Sequence, residues 1–110
     1  MVNGVMRPWF AVLLCLAPLT AQAAIDGPAL FDEHCAKCHG SDGQARTLRG
    51  YLYFAQNLAS PSWQAAKSDA NILKKINTGP GFMPAFEKSL TLEERESLVR
   101  VVRGFASRSE

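Results

Sequence analysis

The chain has 110 residues, and its 12 lysines and arginines against 10 aspartates and glutamates leave a formal net charge of only +2. So small an excess is not the strongly basic surface that nucleic acid binding requires, and no run of like charge indicates a disordered tail. A chain of this length forms one domain, near the size at which an apolar core alone is marginally stable. The composition therefore predicts one small domain without a nucleic acid partner.

The first 23 residues have the three regions of a secretory signal peptide. A basic residue precedes the apolar run 9–17, a proline ends that run, and a small-x-small cleavage pattern ends at Ala23. We expect cleavage after Ala23 or Ala24, export to the periplasm and a finished domain over 24–110. An uncleaved signal anchor is the alternative. Because the run is shorter than the ~20 apolar residues that a spanning helix needs, we expect no membrane span after cleavage.

The strongest functional signal is a short segment that contains two cysteines and a histidine. Cys35, Cys38 and His39 form the pattern C-x-x-C-H, which is typical of a c-type haem attachment site. Each thiol can add to one vinyl group of a haem, and the ring nitrogen of His39 can then reach the iron from the proximal side. Attachment takes place outside the cytoplasm, which agrees with the export signal. We predict one covalently bound haem c with its iron.

Zinc binding and thiol–disulfide exchange are other uses of a C-x-x-C pair. A zinc site needs four ligands in good geometry, whereas the cysteines and histidines of the finished domain all lie between His34 and His39. A thioredoxin-like dithiol needs a strand before the motif and a βαβ pattern around it, and the sequence shows neither. A thiol–disulfide oxidoreductase with free Cys35 and Cys38 stays an alternative function.

Three helices are predicted, and each begins at a capping residue. Asp26 can cap the first helix, whose apolar stripe leads into the C-x-x-C-H motif. The second begins at Ser68 and ends at Gly79. Thr91 and Glu94 form a capping box that opens the last helix. The buried stripe of that helix is predicted to be Leu98, Val101, Val102 and Phe105. No segment has a dependable strand period, so the predicted fold class is all-α.

The segment 45–61 has no clean period but is rich in aromatic and aliphatic side chains. We expect it to be a packed loop, with one helical turn at most, that lines the haem pocket. Asn57 and Trp63 carry polar groups that need partners if they are buried, and either can donate to a haem propionate. In the last helix, Gly104 is expected to permit a close approach of another segment.

A six-coordinate iron needs a second ligand from the far side of the ring. Met83 is the only methionine left once the signal is removed, and it stands 44 residues after His39. Core packing is the ordinary role of a lone methionine. Here the segment 79–84 is too rich in glycine and proline for a helix or strand, and no other ligand is available. A thioether sulfur favours ferrous iron and raises the potential. We predict that His39 and Met83 are the axial ligands, with Phe82 and the two prolines keeping the sulfur dry.

Over the whole finished domain, the chain resembles a class I cytochrome c of the small bacterial type. Cys35, Cys38 and His39 match the attachment motif of that family, and Met83 followed by Pro84 matches its distal-ligand loop. The resemblance implies a small all-α fold of three or more helices with packed loops around one covalently bound haem. It also implies a monomer.

The resemblance extends to the crossing of the first and last helices. Gly27 and Phe31 stand where the family places its first-helix contact residues, and Leu98 and Val101 would be their counterparts in the last helix. One departure concerns the proline whose carbonyl accepts the ring N–H of the haem histidine in mitochondrial members, because Tyr51 stands at that place. The sequence therefore does not name the carbonyl that orients His39.

The resemblance implies an electron-transfer protein that is not itself an enzyme. It would carry single electrons in the periplasm between redox proteins, such as a dehydrogenase, an oxidase, a reductase or a cytochrome complex, and charges would steer a brief, salt-sensitive encounter. A fixed haem subunit of a periplasmic dehydrogenase or oxidase is the alternative. An open-site haem sensor or haem enzyme is a further one, and it requires that Met83 does not bind the iron.

Overall fold

The structure is a computed structural model that describes residue 4 and residues 8–16 and 24–108. Its elements are α1 (Gly27–His34), α2 (Ala36–His39), α3 (Leu48–Leu52), α4 (Pro61–Ala66), α5 (Asp69–Thr78), α6 (Leu92–Gly104) and a closing 3₁₀ turn (Phe105–Arg108). No strand occurs in the described residues, and the predicted all-α class is confirmed. The three predicted helices are α1, α5 and α6.

The predicted signal peptide lies largely outside the described residues. Residues 8–16 are described and have neither helix nor strand, whereas Ala23, at the expected cleavage site, is not described. Within the described ranges, no helix is long and apolar enough to cross a membrane. Cleavage of the signal stays a prediction.

The long helices begin at the residues that the sequence indicates. Asp26 caps α1, and Ser68 caps α5 with a reciprocal capping box to Asn71. At α6 the Thr91 N–H donates to the Glu94 carboxylate at 3.0 Å, while the Glu94 N–H donates to the Thr91 hydroxyl at 3.1 Å. These bonds satisfy N–H groups that the first turn of a helix leaves without partners.

The first and last helices cross at a glycine, as the family resemblance implies. A β-carbon on Gly27 would lie 3.0 Å from Val101 Cγ2 and 3.3 Å from the Ser97 carbonyl oxygen, so a side chain there would require α6 to shift. One turn later Phe31, which is 2% exposed, makes an edge-to-face contact with Phe105, with ring centroids 5.0 Å apart. The crossing holds α1 against α6 and thereby places α2, which follows α1 directly, beside the core.

The inner face of α6 forms the centre of the core. Leu98, Val102 and Phe105 are buried as predicted, whereas Val101 is half-buried at the rim of the crossing. Phe105 lies just beyond α6, in the 3₁₀ turn. The close approach expected at Gly104 is wrong, because nothing lies within 4 Å of the position that its β-carbon would take.

The segment 45–61 contains one short helix, α3, and the start of α4. The part after α3 lines the cavity described below, as the sequence predicts, through residues that include Tyr53, Phe54 and Leu58. Of the large apolar residues of the segment, only Leu58 is buried. The helix α3 itself is exposed, with Tyr51 69% exposed and outside the cavity wall.

The reason for this exposure is that α3 packs through its small residues. The Thr47 hydroxyl donates to the Cys38 carbonyl at 2.8 Å, and a β-carbon on Gly50 would lie only 2.6 Å from the Ala45 carbonyl. This close contact fastens α3 to the end of α2. Because the face with Thr47 and Gly50 points inward, the large neighbouring side chains project outward.

A buried polar cluster joins α4 to α6. The amide of Gln64 donates to the carbonyls of Leu58 at 2.7 Å and Val102 at 2.8 Å. The guanidinium of Arg103 donates to the Gln64 carbonyl at 2.9 Å and to the Asp69 carboxylate at 2.7 Å. Because each polar group has a partner, the cluster can be buried without the desolvation penalty of an unpaired group.

Candidate haem site

A cavity of about 520 Å³ brings the four predicted site residues together. Cys35, Cys38, His39 and Met83 all line it. Most of the remaining wall is apolar, and its core members include Phe31, Leu58, Ile72, Ile76, Phe86, Leu98 and Val102. The cavity therefore offers two thiols, one imidazole and one thioether on an apolar background.

The two cysteines are placed by a tight turn of helix. Cys35 ends α1 and begins α2, where its N–H donates to the Phe31 carbonyl and its carbonyl accepts from the His39 N–H at 2.9 Å. Both thiols are free and half-buried. Burial, with a smaller contribution from Cys38, raises the pKa of the Cys35 thiol to about 12. Before any covalent attachment, Cys35 is therefore a neutral thiol at physiological pH.

The ring of His39 is oriented by a backbone carbonyl. Its Nδ1 lies 2.9 Å from the carbonyl oxygen of Gln56. Because a carbonyl only accepts, Nδ1 carries the proton and Nε2 keeps its lone pair. Burial lowers the pKa of His39, while the bond to Gln56 acts in the opposite direction, so the imidazole is neutral at pH 7. A neutral imidazole that donates its second N–H to a carbonyl is the form that binds metals.

The carbonyl of Gln56 is a functional group that the sequence did not name. It lies 17 residues after His39, in the stretch that follows α3 and lines the cavity. Any residue type supplies a backbone carbonyl, so no side chain marks the position. Only the path of the chain identifies it.

The loop that carries Met83 folds back over the end of α5. Gly79 has a left-handed backbone (φ +62°), and a β-carbon on it would lie 2.5 Å from the carbonyl carbon of Pro84 and 2.6 Å from the nitrogen of Ala85. The Met83 N–H donates to the Pro80 carbonyl at 3.2 Å. Met83 is half-buried and packs against the core. The loop therefore places a thioether at the cavity, as the sequence predicts.

Phe82 lies on the cavity wall close in sequence to Met83. It is 70% exposed, and its ring contacts Tyr53, with centroids 5.2 Å apart. The two rings form part of the rim where the cavity meets solvent. Met83 itself packs against the core, and the part of Phe82 in keeping the sulfur dry stays a prediction.

Three other polar residues near the site have separate roles. His34 lines the cavity and makes an edge-to-face contact with Phe86, with centroids 5.5 Å apart. Trp63 is half-buried on the cavity wall. Asn57 is exposed, and its side-chain oxygen accepts from the Ala59 N–H at 2.9 Å, so it stabilises its own turn. Of the two candidates for a propionate contact, only Trp63 lies at the cavity.

The residues of the cavity fit a haem. Haem c requires two thiols for its vinyl groups, a proximal imidazole nitrogen with a free lone pair and apolar walls. The cavity supplies these and adds a thioether sulfur. Among the described residues, no three His, Cys, Asp or Glu side chains are grouped as a bare metal site would require. The donor set suits a macrocycle that brings its own nitrogen ligands to the iron.

Comparison with known proteins agrees with this chemistry. A family model described as "Cytochrome C oxidase, cbb3-type, subunit III" matches residues 22–100. The chain belongs to this family of c-type cytochromes. A solved structure titled "KustC0563 c-type cytochrome" is 46% identical in sequence with a TM-score of 0.68, and the match covers 74% of this chain and 98% of that one.

The relatives of this cytochrome fall into two kinds. It is 35% identical over 71 residues to the cbb3-type cytochrome c oxidase subunit CcoP of Azospirillum brasilense. It is 30% identical over 78 residues to the cbb3-type subunit FixP of Rhizobium meliloti (strain 1021). The chain spans about a quarter of the length of these two subunits (24% and 26%). A cytochrome c6 of Rippkaea orientalis is 33% identical over 103 residues, which cover 86% of this chain and 80% of the relative.

Family membership confirms the class and the cofactor that the sequence predicts. This cytochrome is a small class I c-type cytochrome with a covalently bound haem c.

Proposed function

We propose that this cytochrome is a diffusible one-electron carrier of the periplasm. In this proposal, Cys35 and Cys38 hold the haem through two thioether bonds, and His39 and Met83 are the two axial ligands. The observation that carries the proposal is that these four side chains, which are separated by up to 48 residues of chain, line a single apolar cavity.

The bound haem supplies a reversible one-electron couple between ferric and ferrous iron. The residues of the chain orient and tune it. Gln56 fixes the ring of His39 and increases the basicity of Nε2 through the bond to Nδ1. The thioether of Met83 adds a neutral, soft ligand that favours the ferrous state. The apolar wall keeps water from the iron and so raises the potential further.

With both axial positions filled by side chains, no substrate binds the iron, and the protein exchanges electrons rather than transforming a ligand. The donor and the acceptor are proposed to be redox proteins such as a dehydrogenase, an oxidase, a reductase or a cytochrome complex. The cytochrome is proposed to act as a monomer. Export through the N-terminal signal agrees with the compartment in which thioether attachment takes place.

A fixed haem subunit is the second candidate function. It is favoured by the matches to CcoP and FixP, which are subunits of a cbb3-type oxidase by description. The diffusible carrier is favoured by the cytochrome c6, which the chain matches over 80% of its length, and by the solved c-type cytochrome, of which it covers 98%. The chain thus spans most of the length of these two relatives.

The experiment is to express the chain with its signal in a host whose cytochrome maturation machinery is active. The proposal predicts a periplasmic polypeptide whose mass includes one haem, a redox titration with one electron and no carbon monoxide binding at neutral pH. A mass equal to the bare polypeptide would contradict the assignment of the cysteines. Size-exclusion chromatography of the native periplasm then separates the two functions, since a fixed subunit elutes only with its complex.

A further inference from the structure

Arg95 is a buried cation that has no carboxylate partner among the described residues. Its side chain lies on the second turn of α6 and is only 9% exposed. The ion pairs found among the described residues join other side chains, namely His34 with Glu33 and Arg103 with Asp69. A guanidinium removed from water must recover its hydrogen bonds, or it destabilises the fold by several kcal/mol. The groups that accept its hydrogen bonds therefore show which segments Arg95 joins.

Those acceptors stand at the two ends of one loop. The Nε of Arg95 donates to the Leu90 carbonyl at 3.2 Å, and an Nη donates to the side-chain oxygen of Asn77. Asn77 is in the last turn of α5, and Leu90 lies just before α6. Between them runs the segment 78–89, which contains Met83. A single guanidinium thus bridges the base of the loop that carries the sulfur.

The remaining contacts at that base are weaker or more local. The Phe86 N–H donates to the Ile76 carbonyl at 2.9 Å, and the Glu87 N–H reaches the Asn77 carbonyl at only 3.4 Å. Hydrogen bonds from a charged donor are about twice as strong as neutral ones. Arg95 therefore adds hydrogen bonds from a charged donor to the neutral backbone bonds at the base of the loop.

We infer that Arg95 is a positioning residue for Met83: it ties α6 to both ends of the segment 78–89 and so holds the thioether at the cavity. The inference rests on the proposed ligation of iron by Met83. Without the bridge, the loop detaches more often, and a competing ligand finds the distal position open. Because the competing ligand binds only protein whose Met83 loop is detached, its apparent affinity rises in proportion to the fraction of molecules in that state.

The chain offers a matched control on the same helix. Arg103 is the second hydrogen-bonded arginine of α6, but it binds Gln64, Asp69 and the carbonyl of Lys67, on the side of α4. Replacing Arg103 removes four guanidinium hydrogen bonds, against two for Arg95, without touching the Met83 loop. Any effect that the Arg95 variants share with the Arg103 variants reflects general destabilisation of the fold.

The test titrates oxidised, haem-loaded protein with imidazole and follows the weak far-red band of the methionine–iron bond. Four variants are compared with wild type: Arg95→Lys, Arg95→Gln, Arg103→Lys and Arg103→Gln. Lysine keeps the charge but, as a point donor, does not reproduce the two-ended bridge. We expect both Arg95 variants to bind imidazole about tenfold more tightly or better, because a charge-assisted bond is lost, while both Arg103 variants stay near wild type.

A second pair of variants keeps the test decisive if the Arg95 variants do not fold. Asn77→Ala removes one acceptor of the bridge, and Asn77→Asp restores an acceptor at the same place. The inference predicts tighter imidazole binding for Asn77→Ala and wild-type behaviour for Asn77→Asp. The inference would be overturned if imidazole affinity changed equally in the variants of Arg95 or Asn77 and in the variants of Arg103. A wild-type protein without the far-red band would instead overturn the ligation by Met83 itself.

Discussion

Gly79 lies directly beneath the Met83 carbonyl, so the chain from Met83 to Ala85 crosses a bare α-carbon. A side chain on Gly79 would collide with the backbone from Met83 to Ala85, and the left-handed φ of +62° would be strained in any case. The position of Met83 thus depends on a residue four places earlier that has no side chain.

The first prediction compares two left-handed glycines of this loop. Gly81 has φ +61° and nothing within 4 Å of its missing β-carbon. Gly81→Ala should therefore cost only the left-handed penalty, about 1–2 kcal/mol. Gly79→Ala adds a backbone collision and should cost about 3 kcal/mol or more. Denaturant unfolding measures both values. The far-red band should be lost in Gly79→Ala alone, and equal behaviour of the two variants would contradict the role given to Gly79.

The second prediction concerns the crossing of α1 and α6. Gly27→Ala places a methyl group 3.0 Å from Val101 Cγ2, so it should destabilise the fold by about 1–3 kcal/mol through overpacking. Gly104→Ala is the control, because its methyl group meets nothing within 4 Å. It should stabilise the protein by about 0.5–1 kcal/mol through helix propensity. Thermal unfolding of haem-loaded protein should shift in opposite directions for the two variants.

The third prediction concerns the acid stability of the α6 capping box. The backbone N–H and hydroxyl of Thr91 hold the pKa of Glu94 below its ordinary value of 4.5. Because the pKa is lower in the folded state, the contribution of Glu94 is present above pH 4.5 and is lost as the pH falls through the folded-state pKa. The free energy of unfolding of Glu94→Gln should therefore fall less between pH 5 and pH 3 than that of wild type.

Glu96→Gln serves as the control for this prediction, since Glu96 lies on the same helix outside the capping box. It should follow the wild-type pH profile. Thr91→Ala should cost about 1 kcal/mol at neutral pH, as the loss of a threonine cap does. If the free energy of unfolding of Glu94→Gln fell with pH as steeply as that of wild type, the capping box would not be the source of the acid sensitivity.

The fourth prediction concerns the contribution of the haem to the stability of the core. Cys35→Ala combined with Cys38→Ala removes covalent attachment, so the core loses its largest apolar member and the chain should be largely unfolded by far-ultraviolet circular dichroism. Cys15→Ala, in the predicted signal, should leave the haem-loaded product unchanged. A stable, helical double variant without haem would show that the cavity does not need its cofactor to fold.

The features that could be predicted from the sequence are those with a local chemical signature. The C-x-x-C-H motif, the Thr91 capping box and the left-handed Gly79 each depend on residues a few positions apart, and the structure has them where expected. The pairing of Gly27 with α6 joins distant segments, and it came from resemblance to a family rather than from the pattern alone.

The features that could not be predicted depend on the path of the chain. The carbonyl that orients His39 belongs to Gln56, and a backbone group has no sequence signature. In the sequence, Arg95 resembles an ordinary charged residue of a solvent-facing helix. Its side chain is nevertheless buried, and it donates hydrogen bonds to acceptors on two other segments. Tyr51 is exposed because Gly50 packs inward, and hydrophobicity alone does not report that arrangement.

The central claim is that the iron lies between His39 and Met83, and the most direct measurement is a redox titration and far-red spectrum of Met83→Ala beside wild type. Phe82→Ala, at the exposed rim of the same loop, is the control. We predict that Met83→Ala keeps its haem, loses the far-red band, falls in potential and binds carbon monoxide, whereas Phe82→Ala keeps the band and excludes carbon monoxide. A Met83→Ala protein with the potential and the band of wild type would contradict the account.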